Sequence, residues 1–101
     1  MLDILSYQEL AEQVGNTFII TDLPSPIEVE LIAITERFMS NGQESFSLTF
    51  RGPRDTILPQ RIYSLQNNDI GMSGLFLVPA AANELGVEYE ASFNRLLDRP
   101  A

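Results

Sequence analysis

The chain has few side chains equipped for chemistry, and two of the usual agents are missing: it has no His and no Cys. Without His it lacks the commonest general base and transition-metal ligand, and a Ser-His-Asp triad cannot be assembled within it. Without Cys it has no disulfide framework, no thiolate for zinc or iron–sulfur clusters and no thiol nucleophile. Carboxylates and guanidiniums remain. All six cations are Arg, set against fourteen acids, for a net charge of −8. The corner Arg51-Gly52-Pro53-Arg54 is the most distinctive local feature, because two guanidiniums on a rigid turn can grip a carboxylate or phosphate bidentately. Arg61 and Arg95 complete the set of candidate partner or anion contacts, and Tyr63 and Tyr89 are candidate stacking rings. The plainer expectation for Arg51 is an ion pair with Glu88 or Glu90 on a neighbouring strand, and Arg95 reads the same way.

The acids offer less. Glu28 with Glu30, and Glu88 with Glu90, share strand faces. Residues at i and i+2 of a strand lie roughly 6–7 Å apart, between the carboxylate spacings of retaining and inverting glycosidases. The same alternation keeps the outer face of a half-buried strand wet. Catalytic acids need desolvation to raise their pKa, and no pocket is indicated around these. Asn67-Asn68-Asp69 lacks the spaced oxygens and distal Glu of a calcium loop and reads as a polar turn. Gly71-x-x-Gly74 has no Lys and no following helix, so it is not a phosphate loop. No catalytic residue, metal or cofactor is expected, and the chain reads as a non-enzyme.

The elements that carry these residues are mostly strands. Ser6-Tyr7-Gln8-Glu9 fits a capping box with Leu5 and Leu10 as its staple, and predicts a short helix over about 6–14 with an apolar stripe of Leu10, Ala11 and Val14, ended by Gly15. Strands follow at 17–21 and 27–38. In the second, Ile27, Val29 and Leu31 alternate with acids and then the phase slips at Ile32, which predicts a bulge near Leu31–Ile32. Asn41-Gly42 marks a hairpin. In 45–51, Phe46, Leu48 and Phe50 point one way and Ser45, Ser47, Thr49 and Arg51 the other. Further strands are predicted at 60–66, at Leu75–Val78 as a run covered on both faces and ended by Pro79, and at 87–95 with Val87, Tyr89, Ala91 and Phe93 inward. Asn67–Asp69 with Gly71, and Ala80–Gly86, read as loops, the latter with the option of a single helical turn. Short, turn-rich connections imply antiparallel pairing. The fold class is therefore mainly β: one short N-terminal helix and about six mostly antiparallel strands in a small barrel or strongly coiled sheet, with a two-layer β-sandwich as the alternative.

At 101 residues and 45% hydrophobic content the chain suits one domain, 1–101, with a β region over about 16–96 and a tail at 97–101. Its acidity repels free nucleic acid, and the dispersal of the acids fits solubility better than nucleic-acid mimicry. No apolar run approaches the ~18 residues of a membrane span. Met1–Ser6 holds Asp3 and no Lys or Arg, unlike a secretory signal, so a cytoplasmic location is expected.

The spaced blocks Phe46-Ser-Leu-Thr-Phe-Arg-Gly-Pro53, Leu58-Pro-Gln-Arg-Ile-Tyr63, Leu75-Phe-Leu-Val-Pro79 and Tyr89-Glu-Ala-Ser-Phe-Asn-Arg95 resemble a bacterial domain family classed as of unknown function, over about residues 5–96. Arg61 stands where that pattern has Gly. The resemblance implies no activity. It does imply company, since such domains accompany phage-tail-collar-like proteins. The combined expectation is a non-enzymatic protein-interaction or structural accessory module of a phage-tail-like or secretion-related assembly, acting through a protein partner or self-association at exposed strand edges. The alternative is a small anionic-ligand-binding β-barrel.

Overall fold

The computed structural model describes residues 5–96; the tail expected at 97–101 lies outside them. The capping box forms as read: Ser6 Oγ accepts from the Glu9 amide and Glu9 reaches back to the Ser6 amide. Helix α1, Tyr7–Ala11, is shorter than the 6–14 expected, and 12–15 form turns. Of its apolar stripe only Leu10 is buried; Val14 is exposed and Gln13 is buried in its place. Gln13 earns that position by accepting from the side-chain amides of Asn16 and Asn67.

Seven antiparallel strands follow: β1 Thr17–Ile20, β2 Ile27–Ile34, β3 Phe38–Ser40, β4 Gln43–Gly52, β5 Arg61–Gln66, β6 Gly71–Asn83 and β7 Gly86–Leu96. Their order is β2-β1-β5-β6-β7-β4-β3, and β2 also pairs β4. That added pairing closes six strands into a barrel and leaves β3 as an extra strand, so the sandwich alternative does not hold. The register of β2 on β4 shifts between Leu31 and Ala33, where the phase slip placed a bulge. Asn41 and Gly42 take φ of 53° and 75°, the paired positive values that make a tight hairpin twist with its strands.

Five expectations fail, each for an identifiable physical reason. The predicted strand 27–38 divides in two, giving seven strands rather than six. Thr35 makes the break by taking both backbone groups of Ser47: its N–H donates to the Ser47 carbonyl and its Oγ1 accepts the Ser47 amide. Pro79 does not end its strand. It sits at a register shift of β6 on β7, a bulge where a missing N–H is tolerated. The Ala80–Gly86 loop is instead the end of β6 and a hairpin at Glu84-Leu85, tied by Asn83 Oδ1 accepting from the Leu85 amide; pairing with β7 overrides the weak strand preference of alanine. Gly71 likewise pairs with Gln66 inside the ladder. Leu75–Val78 is covered on one face only, since Phe76 is 47% exposed beside its register partner Ile62 at 57%.

The interior is filled by side chains. Phe18, Leu31, Leu48, Phe50, Leu65 and Leu77 are fully buried among others, and Phe46, Tyr89 and Ala91 join them in the inward phase read from the sequence. Helix α1 lies over the mouth where β1 begins. The segment 53–60 crosses the opposite mouth and buries Leu58. Among the described residues no helix is long and apolar enough to cross a membrane.

Candidate functional site

The barrel does not use the whole length of β4 and β7. Closure onto β2 takes Leu48–Arg51 of β4, and β6 leaves β7 after Val78 pairs Glu90. Beyond those points Gln43–Ser47 and Ala91–Leu96 continue as a two-stranded extension, and β3 adds a third strand at its margin through Phe38↔Ser45 to Ser40↔Gln43. This three-stranded wing carries the unusual chemistry of the molecule.

On its inner face Phe46 stacks on its cross-strand partner Phe93 with ring centroids 4.8 Å apart, and Tyr7 of α1 meets Phe46 edge-on at 5.0 Å. The Tyr7 hydroxyl donates to the Thr35 carbonyl, which fixes α1 to the root of the wing. The Arg95 guanidinium lies 5.3 Å from the centre of Phe46 and 5.4 Å from that of Phe93, within reach of both ring quadrupoles. One step outward, Glu44 follows the inward phase of Phe46 and Leu48 and has only 2% of its side chain exposed. Arg95 Nε donates to Glu44 Oε1 at 2.7 Å, and Arg37 Nε donates to Oε2. Burial alone raises the pKa of a carboxyl; here hydrogen bonds from Arg95 and Arg37, with their positive charge, outweigh it and hold Glu44 below the ordinary carboxylate value. One carboxylate thus ties the loop before β3 to the end of β7.

The opposite face is a band of neutral polar side chains. Ser45 Oγ donates to Asn94 Oδ1 at 2.9 Å, and the Ser47 and Ser92 hydroxyls stand 3.4 Å apart. Beside this band Phe38 is 70% exposed and walls an open groove of about 360 Å³ that the band floors. Two strand edges border the wing. Among the described residues, Ala91–Leu96 pairs only with β4, and β3 pairs with nothing on its outer side.

The residues singled out from sequence are distributed rather than convergent. Arg51 lies on the barrel's outside in the row Glu30–Arg51–Glu88; its ion-pair partner is Glu30 at 4.0 Å, on the other neighbouring strand from the one expected. Arg54 is exposed in the turn after β4 and makes no ion pair among the described residues. Arg61 opens β5, 3.9 Å from Asp22, with its guanidinium 4.6 Å from the centre of the Tyr63 ring. Arg95 alone belongs to the wing. Tyr63 and Tyr89 are core residues whose hydroxyls hold the 53–60 segment: Tyr63 donates to the Pro59 carbonyl, while Tyr89 accepts the Leu58 amide and donates to the Thr56 carbonyl. Burial raises the Tyr63 pKa. Sequence reasoning missed Arg37 and Glu44. The signal for Glu44 was available, a lone acid in phase with an apolar stripe; for Arg37 there was none.

No curated protein and no solved structure matches the chain. Residues 5–93 match the model of a domain of unknown function (DUF6916), and the chain belongs to that family.

Proposed function

We propose that the chain is a non-enzymatic protein-interaction module whose docking surface is the wing. The observation that carries this reading is the exposed ring of Phe38 beside an open groove and two unpaired strand edges. An exposed aromatic is costly to keep in water and serves as an anchor once buried in an interface. Unpaired edges supply backbone donors and acceptors to an incoming strand. The partner class follows the resemblance in the sequence: a phage-tail-collar-like protein, met in the cytoplasm before the module enters a tail-like or secretion-related particle. A net charge of −8 disfavours free nucleic acid as the partner.

Size-exclusion chromatography with light scattering, alone and with a phage-tail-collar-like protein from the same genome, tests the reading. A complex with wild type that Phe38→Glu abolishes supports it. A complex that survives Phe38→Glu, or none at all, overturns it.

A further inference from the structure

Resting on the docking reading, we infer that the free edge of β7 pairs antiparallel with the same edge of a second copy, with Asn94 on the two-fold axis. The strand segment is Ala91-Ser92-Phe93-Asn94-Arg95-Leu96. It contains no Pro and no Lys, two of the residues that blunt natural edges, and its only charge, Arg95, is turned inward to Glu44.

The register follows from three constraints. An antiparallel pair of identical strands places like faces together, so residues of the same parity oppose each other. The second copy must leave before Glu90, because Val78 of β6 occupies that position. Like charges must not oppose each other. Placing Asn94 on the axis meets all three. Phe93 then faces Arg95 of the second copy and Ser92 faces Leu96, so that within the described residues the pairing ends two residues short of Glu90. The alternative centred on Phe93 drives Leu96 of the second copy onto the place of Val78. With Asn94 central, each Phe93 ring packs beside the aliphatic stem of the second copy's Arg95, whose guanidinium stays on Glu44 and the rings of its own chain. The two side-chain amides of Asn94 meet as donor and acceptor. The two wings become one continuous six-stranded sheet, β3-β4-β7 followed by its symmetry mate. The acids of the strand's outer face, Glu88 and Glu90, remain outside the paired segment.

The absence of cysteine makes the register directly testable. Asn94 and Ser92 are both exposed, so neither substitution disturbs the core. Across the axis Asn94→Cys brings its two thiols to about 5 Å between Cβ atoms, whereas Ser92→Cys leaves them roughly 13 Å apart. Mild oxidation or a short bismaleimide is expected to link the Asn94→Cys protein into a dimer and to leave Ser92→Cys monomeric. In sedimentation equilibrium, Asn94→Lys and Asn94→Glu each loosen self-association by about threefold or more, and an equimolar mixture of the two recovers it. Equal linking at both positions, no linking at Asn94→Cys, or a mixture no tighter than either variant alone overturns the pairing. If linking fails while Phe38→Glu still blocks the tail-collar partner, only the self-pairing falls; if both fail, the docking reading falls with it.

Discussion

Glu44 stands where the phase of Phe46, Leu48 and Phe50 demands an apolar side chain, and it is tolerated because two guanidiniums satisfy both of its oxygens. Glu44→Gln keeps the shape and removes the charge. It is expected to cost about 1.5–3 kcal/mol in urea unfolding, the range for hydrogen bonds to charged groups. The pH dependence has a definite sign. The folded pKa lies below the ordinary value of 4.5, so this contribution is fully present above 4.5 and is lost as pH falls through the folded value. The stability gap between wild type and Glu44→Gln should therefore narrow as the pH is lowered from 4.5 through the folded pKa, and a gap that widens with falling pH would contradict the assignment. Gly86 is constrained differently. Its φ is 145°, and an added Cβ would meet the Gly52 carbonyl oxygen. Gly86→Ala is expected to lower stability by at least about 2 kcal/mol, read from the thermal midpoint.

The segment 53–60 and the wing are the two elements whose roles the barrel alone does not determine. Tyr89 holds the first by accepting the Leu58 amide. In Tyr89→Phe that buried N–H loses its partner at a cost of about 1–3 kcal/mol, and trypsin should cut after the exposed Arg54 faster than in wild type while the strands resist. For the wing, Phe38 is so exposed that Phe38→Glu should leave the unfolding free energy within about 0.5 kcal/mol of wild type; a large loss would show that the ring has a packing role instead. Much of this level was readable from sequence. The alternation in 45–51 and 87–95, the slip at Ile32 and the Asn41-Gly42 turn are local signals with local causes. The division of 27–38 was not, because it depends on Thr35 meeting Ser47, twelve residues away. Nor was the strand at Ala80–Asn83, since alanine states no preference until β7 lies beside it. Of the wing's charged cluster, Arg95 was singled out from sequence, but its association with Arg37 and Glu44 is a product of tertiary pairing.

Closure is the least local property of the molecule. It depends on β1 meeting β5 through only two register pairs, Ile19↔Gln66 and Ile20↔Leu65, and on β2 meeting β4 beyond its bulge. No sequence pattern spaces those segments, so barrel and coiled sheet were equally consistent with the alternation. Once closed, the barrel fills its interior and pairs each of its six strands on both sides over part of its length, while the edges of Ala91–Leu96 and β3 border the wing. That border is where the molecule is proposed to join another chain. Amide hydrogen exchange resolved along β7, followed over a dilution series, measures this most directly. The prediction is that barrel amides exchange slowly at every concentration, while the outward-directed amides of 91–96 exchange fast when dilute and slow as the protein is concentrated. Exchange at 91–96 that is independent of concentration, and unchanged by an added tail-collar-like protein, would contradict it.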